Sequence, residues 1–164
     1  MAIDSRISLI MSNDVISVGP DSSVEDVARQ LWQNQISSLP VVEDGRVVGI
    51  ITDYDLITRE TDYDAPMYVT FLEAYFRIPG TGDEEQLRRI LAISARDLMT
   101  TPAITVTPDS TVHEVATVMH DKRLNALPVV DHDHTLVGII SRADIVRLMV
   151  ADDDLYERTH PEAR

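Results

Sequence analysis

The chain of 164 residues carries 28 acidic against 14 basic side chains, a formal net charge of −14, and contains no cysteine. Non-specific nucleic-acid binding needs basic side chains to neutralise phosphates, so it is not expected, and disulfide and thiolate chemistry are excluded. No apolar run approaches the roughly 18 residues of a membrane span. The apolar patch near the start is too short for a signal peptide, so we expect a cytoplasmic protein without membrane contact.

The first predicted elements are a short strand and a helix. The β-branched run "VISV", residues 15–18, predicts the strand, and Pro20 follows it. Ser22 is well placed as the N-cap of a helix, and Glu25 three residues later completes a capping box. Apolar residues then recur at the spacing of one helical face. They are Val24, Val27, Ala28 and Leu31.

A β-hairpin and a second helix come next. "LPVVE" predicts a strand entered through Pro40, a residue tolerated at a strand's first position. "EDGR" has the composition of a tight turn, and "RVVGIIT" that of the returning strand. "DYDLITRE" then predicts a helix, so the first part of the chain has the order β-α-β-β-α.

Residues 61–93 follow this unit and are longer than an ordinary linker. Pro66 suits the first turn of a helix, and "DEEQLRRILA" predicts a second, shorter helix. Five side chains are predicted to share one face of the first helix: Tyr68, Phe71, Leu72, Tyr75 and Phe76. This face either covers the core of its own module or forms a dimer contact or docking surface, since aromatic density is typical of interface cores.

The second half of the chain repeats the first. One fixed shift aligns Met11 with Met99, "PDS" with "PDS" and "LPVV" with "LPVV". Ser110 takes the predicted N-cap position, and an apolar helical stripe follows it. One extra residue in the second hairpin turn precedes the matching "GII", and turns tolerate such length changes well. The order β-α-β-β-α is therefore expected twice.

Each repeat ends in a hydroxyl residue followed three residues later by an aspartate, Thr52 with Asp55 and Ser141 with Asp144. The hydroxyl lies where a strand enters a helix, so free N–H groups and the helix dipole favour an anion there. The aspartate, one turn further on, could accept both hydroxyls of a ribose, and the pair therefore suits a nucleotide. The same spacing is also that of a capping box that only stabilises the helix start. Spacing alone leaves both interpretations open.

These motifs resemble a tandem pair of CBS domains, the regulatory modules found in IMP dehydrogenase, chloride channels and the γ subunit of AMP-activated protein kinase. The resemblance rests on "IMSNDVISVGPDSSVEDVARQL" with "SSLPVVEDGRVVGIITDYD", and on "DLMTTPAITVTPDSTVHEVATVM" with "NALPVVDHDHTLVGIISRAD". It implies an α/β fold of two pseudo-symmetric lobes packed through their sheets. The CBS domains are expected at 5–60 and 94–150, a helical insert at 61–93 and an acidic C-terminal tail at 151–164. A stand-alone module that associates as a flat homodimer is also implied.

The resemblance further implies where an adenine nucleotide binds. In CBS pairs the hydroxyl and aspartate commonly hold adenosine phosphates, and adenine lies between the first strand and the segment before "LPVV". Carried over, one candidate site comprises Ser141, Arg142, Asp144, Ile104, Asn125 and Ala126, and the other comprises Thr52, Asp55, Ile16, Ser37 and Ser38.

The chain departs from the strongest nucleotide binders of that family, which often carry His or Arg just before the leucine and proline of "LPVV". Ser37-Ser38 and Asn125-Ala126 occupy those places. Arg142 could neutralise a phosphate in the second repeat, whereas Asp53, at the equivalent position of the first, would repel one. We therefore expect unequal sites, with the Ser141–Asp144 site the better candidate.

Other patterns are weaker candidates for chemistry. Residues 131–134, "DHDH", have metal-ligand residue types, but the polarity of a hairpin turn accounts for them, so neither a metal nor a required cofactor is expected. No nucleophile–base or phosphate-loop motif is present. For an enzyme hidden in the insert, the candidate acids are Glu73, Glu84 and Glu85.

The sequence therefore predicts a non-enzymatic regulatory module. It binds an adenine nucleotide, AMP, ADP or ATP or a related adenosyl ligand, between the two CBS lobes and signals to an effector protein. The alternative is a structural or adaptor homodimer with vacant ligand sites that acts through protein–protein contacts of the insert.

Overall fold

The structure is a computed structural model that describes residues 4–59, 68–71, 74–77 and 91–159, with side chains described for 4–58 and 91–151. Its elements, in chain order, are a 3₁₀ helix (Ile7–Leu9), α1 (Val24–Asn34), β1 (Ser38–Glu43), β2 (Arg46–Thr52), α2 (Asp53–Arg59), β3 (Tyr68–Phe71), β4 (Ala74–Arg77), α3 (Ala95–Leu98), α4 (Val112–Lys122), β5 (Ala126–Val130), β6 (Leu136–Ser141) and α5 (Arg142–Thr159). The predicted α/β class and its repeated helix–hairpin–helix order are confirmed.

The two predicted hairpins are present as β1–β2 and β5–β6. In the second, Leu127 lies opposite Ile140, and the register shifts by one residue between Val129 and Val130, as at a β-bulge. The predicted strands before α1 and α4 are reduced to single parallel bridges, Val18 with Val41 and Val106 with Val129. These bridges place each short segment beside the first strand of its hairpin.

The predicted N-caps are wrong by one residue. Ser23 and Thr111, rather than Ser22 and Ser110, cap α1 and α4, accepting from the backbone N–H of Asp26 and Glu114 respectively. The carbonyls of Ser22 and Ser110 instead accept from the N–H groups of Ala95 and Ile7, in segments distant along the chain. Both positions carry hydroxyls in each repeat, so the local sequence alone does not distinguish the two candidate caps.

A capping box at the start of α4 lowers the pKa of one carboxyl group, that of Glu114. The Glu114 carboxylate accepts from the backbone N–H of Thr111 at 2.8 Å, while the Thr111 hydroxyl accepts from the Glu114 N–H at 3.2 Å. Hydrogen bonding to Thr111 lowers the pKa of Glu114 below its usual value, because it favours the ionised form.

The chain forms two compact units that are discontinuous in sequence. The first-repeat unit contains Val18–Val41 and Gly49–Thr101, and the second-repeat unit contains Met1–Ser17, Val42–Val48 and Pro102–Arg164. The segment that precedes each repeat therefore belongs to the unit of the other repeat.

Both exchanged segments are held by backbone hydrogen bonds and by buried side chains. In the second-repeat unit, Ser12 pairs with Ile139, and Ile7 is fully buried in the core. That core also contains Val112, Val115, Met119, Leu127, Val129 and Ile140. In the first-repeat unit, Thr100 pairs with Ile50, and Leu98 is fully buried. Each unit thus needs a segment from the far part of the chain to complete its core.

The helix predicted through the aromatic part of the insert is wrong. Tyr68–Phe71 and Ala74–Arg77 are antiparallel strands, with Tyr68 opposite Arg77 and Phe71 opposite Ala74. β-Branched and aromatic residues favour strands, and here that preference prevails over the helical spacing of the aromatic residues. The rest of the insert, including nearly all of the second predicted helix, lies outside the described residues, and so do Glu73, Glu84 and Glu85. In the part of the chain that the structure describes, no helix has the length and apolarity to span a bilayer.

Candidate functional site

The hydroxyl–aspartate pair of the second repeat lies at the junction where β6 ends and α5 begins. Asp144 is only 8% exposed, and its Oδ2 accepts from the backbone N–H of Ser141 at 2.8 Å and from the Ser141 hydroxyl at 2.6 Å. Its Oδ1 accepts from Nη1 of Arg147 at 3.2 Å, an arginine whose side chain is 75% exposed. The carboxylate is therefore buried, oriented and compensated.

The pair of the first repeat has the same geometry where β2 ends and α2 begins. Asp55 is 4% exposed, and its Oδ2 accepts from the Thr52 backbone N–H at 2.7 Å and from the Thr52 hydroxyl at 2.8 Å. The capping interaction that the spacing allows is thus formed in both repeats. In both repeats the capping hydrogen bonds are accepted by Oδ2 of the aspartate, and they thereby fix the orientation of Oδ1 as well.

Backbone hydrogen bonds hold the segment before each "LPVV" strand against its junction. The N–H of Arg142 donates to the carbonyl of Asn125 at 3.0 Å, and Ala126 pairs with Ser141 across the hairpin. In the first repeat, the N–H of Asp53 donates to the carbonyl of Ser37 at 3.0 Å. Ser38, at the start of β1, is buried, whereas Ser37 and Asn125 are exposed. The predicted polar positions therefore meet at one end of each hairpin.

The predicted adenine contacts lie on the segments before the parallel bridges. Ile104 precedes Val106 by two residues, and Val106 donates to the Pro128 carbonyl of β5 at 3.1 Å. The Ile104 side chain is 41% exposed, and Ile16, its equivalent in the first repeat, is half-buried. An apolar side chain is thus presented to solvent beside the β5 edge, as a contact for an aromatic base requires.

Arg142 makes a contact that the sequence did not predict. Its Nε donates at 2.8 Å to the carbonyl of Leu124, which follows the end of α4 by two residues. Its side chain also lines an open groove of about 490 Å³ between α4 and α5, which we name the second-repeat groove. The groove is lined by Ala116, Met119, His120, Arg123, Arg142, Ile145 and Val146.

The equivalent groove of the first repeat lies between α1 and α2 and has a volume of about 710 Å³. We name it the first-repeat groove, and its lining includes Leu31, Trp32, Gln35, Asp53, Leu56 and Ile57. Neither groove was predicted from the sequence. The available signal was the large apolar Trp32 and Ile57 outside the predicted apolar stripes.

The "DHDH" segment forms the second hairpin turn. Oδ1 of Asp131 accepts from the backbone N–H groups of Asp133 and Thr135, each at 2.9 Å, so this carboxylate organises the turn. His134 has φ 61° there, in the left-handed region. Among the described residues, no three His, Asp or Glu side chains are grouped so as to hold a metal ion.

Comparisons with known proteins identify a family. The model of the CBS domain matches residues 6–61 and 95–151. The uncharacterized protein MJ1426 of Methanocaldococcus jannaschii is 31% identical over 150 residues, which cover 86% of this chain and 89% of that protein. The chain spans less than half the length of several other curated relatives, among them an inosine-5'-monophosphate dehydrogenase and a homoserine O-acetyltransferase.

Solved structures share the fold. CBSX2, a protein of Arabidopsis thaliana crystallised in complex with AMP, superposes with a TM-score of 0.72 at 22% identity, over 89% of this chain and 97% of that one. The CBS domain pair of protein MJ0100, in complex with 5-methylthioadenosine and S-adenosyl-L-methionine, gives a TM-score of 0.69 at 25% identity, over 90% and 98%.

Proposed function

Since the chain belongs to the CBS domain family, with one domain in each repeat, we propose that it is a regulatory module that binds an adenine nucleotide or a related adenosyl compound. Occupancy of its sites is passed on to a partner protein, and the module itself catalyses no reaction. The observation that carries the proposal is the buried, oriented aspartate at the strand–helix junction of each repeat, Asp55 and Asp144.

The second-repeat junction offers a ribose and a phosphate the contacts they need. Oδ1 of Asp144 accepts the ribose hydroxyls, and Arg147, which now donates to that oxygen, is exposed enough to move aside. The phosphate lies by Ser141 at the start of α5, where the helix dipole attracts an anion. Ile104, Asn125 and Ala126 border the adenine. Arg142 keeps its Nε on the Leu124 carbonyl and uses its terminal nitrogens to reach the phosphate.

The first-repeat site is built in the same way from Thr52, Asp55, Ile16, Ser37 and Ser38, but with an opposing charge. Asp53 takes the place of Arg142 at the helix start. A carboxylate near a phosphate repels it, and at such a short distance this repulsion weakens binding even when water partly screens the charges. The second-repeat site is therefore the tighter of the two.

The relatives support a regulatory role without catalysis. A dehydrogenase and an acetyltransferase match this chain over about a quarter of their own length, 25% and 24%. Their activities differ, so the shared portion is a module that accompanies different chemistries. The MJ0100 pair, with its two adenosyl ligands, supports the ligand class.

An adaptor with vacant sites is the second candidate. Both aspartates already satisfy a helix cap, and Ser37 and Asn125 stand where strong nucleotide binders of the family often carry a basic residue. In that case a homodimer would act through its protein contacts alone.

Thermal melting in the presence of ligands separates the two candidates. AMP, ADP, ATP, S-adenosylmethionine and NAD are compared with GMP and GTP as matched controls. Binding at 100 times Kd stabilises by about 2.7 kcal/mol, so a site raises the melting temperature with the adenine compounds and not with the guanine ones. If no adenine compound binds below millimolar concentration by calorimetry, the nucleotide proposal fails and the adaptor remains.

A further inference from the structure

The two junction aspartates are alike at Oδ2 but are followed by different residues one helical turn later. Oδ2 of each aspartate accepts two hydrogen bonds from the hydroxyl residue of its own junction. Three residues after Asp144 comes Arg147, which donates to Oδ1 of that aspartate at 3.2 Å. Three residues after Asp55 comes Thr58, whose hydroxyl donates to the Tyr54 carbonyl at 2.9 Å. At this position, therefore, only the second repeat has a positive charge.

The contact of Arg147 uses the oxygen that a ribose needs. Each carboxylate oxygen has two lone pairs, and Oδ2 of Asp144 already accepts from both the N–H and the hydroxyl of Ser141. The two hydroxyls of a ribose therefore both have to be accepted by Oδ1, which then has no lone pair left for a third donor. Arg147 has to give up its hydrogen bond to Oδ1 before the ribose is fully bound.

The helix that carries Arg147 offers it no second carboxylate. The positions one helical turn away, where an acid can pair with a cation, are 143, 144, 150 and 151. Apart from Asp144 they hold Ala143, Val150 and Ala151. The Arg147 side chain is already 75% exposed. When a ligand displaces its guanidinium, the new counter-charge on this helix face has to come from the ligand.

A phosphate on the ligand can supply that counter-charge. Six residues at a rise of 1.5 Å place Arg147 about 9 Å along the axis from Ser141, where the phosphate is proposed to lie. Side chains of a helix point toward its N-terminus, so the long arginine side chain spans much of this distance. Charge-assisted hydrogen bonds between arginine and phosphate are among the strong ones. Adenosine and 5-methylthioadenosine bring no such charge.

We propose that Arg147 is the residue by which the second-repeat site selects phosphorylated adenosine compounds over uncharged ones. It holds Oδ1 of Asp144 until a ligand displaces it. An uncharged nucleoside breaks the ion pair without compensation, whereas a nucleotide replaces the carboxylate with its own phosphate. This inference rests on the proposed function of the site and adds the class of ligand that the site prefers.

Calorimetric titration of Arg147→Met with adenosine, 5-methylthioadenosine and AMP tests the selection. Methionine is a good helix former and removes both the charge and the donor. The Kd values of the two uncharged compounds should fall about two- to fivefold, the range that exposed ion pairs cover, and the Kd of AMP should not fall. Arg147→Lys keeps the charge and should keep the preference for AMP. Arg29→Met is the matched control, because it breaks an ion pair of the same spacing, with Asp26 on α1, and it should leave all three Kd values unchanged.

Salt gives a second readout on the unmodified chain. Adenosine is uncharged, so the salt dependence of its binding reports the ion pair that it breaks. Salt weakens the pair between Arg147 and Asp144, and the Kd of adenosine should therefore fall as the salt concentration rises. In Arg147→Met this dependence should be absent.

Two results would overturn the inference, and they differ in what they mean for the proposed function. If Arg147→Met melts at a lower temperature while the ratio of the Kd values for adenosine and AMP stays as in the unmodified chain, the ion pair only stabilises α5. The inference then fails and the proposed function stands. If neither the unmodified chain nor Arg147→Met binds any of the three compounds below millimolar concentration, both fail.

Discussion

Met99 occupies the space that a side chain at position 49 would need. A Cβ built on Gly49 would approach the Sδ of Met99 to 2.5 Å and its Cγ to 2.9 Å. The other repeat has the same relationship between Met11 and Gly138, where a Cβ would lie 2.8 Å from Sδ. In both cases the methionine belongs to the exchanged segment and the glycine to the returning strand of the hairpin, so the glycine admits the segment that completes each unit.

Gly49→Ala should therefore lower the free energy of unfolding by about 1–3 kcal/mol, the usual range for overpacking. Met99 is 6% exposed and cannot swing into solvent without leaving its own pocket. The measurement is urea denaturation at fixed protein concentration. Gly19→Ala is the matched control, since its nearest atom would be the Ser22 hydroxyl at 3.9 Å, and it should change stability by less than about 0.5 kcal/mol.

A double-mutant cycle with Met99→Ala distinguishes this contact from a general intolerance of alanine at position 49. Shortening Met99 alone leaves a cavity, whereas in the double variant the new methyl group lies against the vacated space. The free energies of unfolding lost in Gly49→Ala and in Met99→Ala should then add up to more than the free energy lost in the double variant. The expected difference is about 0.5–3 kcal/mol, the usual range for residues in contact. Additive losses would mean that Met99 is not what excludes a side chain from position 49.

The aspartate pair should affect nucleotide binding unequally. Asp144→Ala should weaken binding of the preferred adenine compound by roughly 1.5–3 kcal/mol, about ten- to a hundredfold in Kd, because it removes the acceptor of the ribose hydroxyls. Asp55→Ala should have the smaller effect, since Asp53 already disfavours a phosphate in that site. Titration calorimetry at fixed salt measures both.

Stability has to be followed in the same two variants. Each aspartate also bonds the N-cap residue of its helix, a contribution of about 1 kcal/mol. If Asp144→Ala binds as tightly as the unmodified chain and only melts at a lower temperature, the aspartate is a cap and nothing more.

Arg142→Ala should separate phosphate recognition from recognition of the nucleoside. Binding of AMP or ATP should weaken, whereas binding of adenosine should stay within about twofold, because only the phosphates interact with the guanidinium charge. The salt dependence of AMP binding should also become shallower. An equal loss for adenosine and AMP would show that the bond from Nε to the Leu124 carbonyl, which supports the junction, is the arginine's whole contribution.

Local features of the fold could be predicted from the sequence, and the contacts between distant segments could not. The hairpins, the two helices of each repeat and the hydroxyl–aspartate junctions follow from periodicity and turn composition, although α5 continues to Thr159, into the segment expected to be an acidic tail. The placement of Ile7 in the core of the second-repeat unit depends on a partner more than a hundred residues away, which no local pattern encodes.

The same limit explains the individual errors. Ser22 and Ser23 are both good N-caps, and the segment that pairs with them in the fold, where Ala95 donates to the Ser22 carbonyl, is distant along the chain. In the insert, aromatic residues spaced three and four apart match one face of a helix, but aromatic residues also favour β-strands. Pairing between the two strands of the hairpin favours the strand conformation, which is the one observed. The grooves arise from two helices packed side by side, so the large apolar Trp32 and Ile57 outside the predicted stripes indicate an apolar surface but not the groove that they line.

Glu114 should make the stability of the chain depend on pH in a predictable direction. Its pKa is lowered in the folded chain by hydrogen bonding to Thr111. The unfolded chain therefore binds the proton more readily, so the stabilisation is fully present above the unfolded pKa and is lost as the pH falls through the folded pKa. Glu114→Gln keeps a carbonyl oxygen for the Thr111 N–H and removes only the charge. Its melting temperature should be below that of the unmodified chain at neutral pH, and the two should converge in acid. Glu114→Ala also loses the hydrogen bond and should remain below Glu114→Gln at every pH. A constant gap between the glutamine variant and the unmodified chain, from neutral pH into acid, would mean that the charge of Glu114 contributes nothing to the cap.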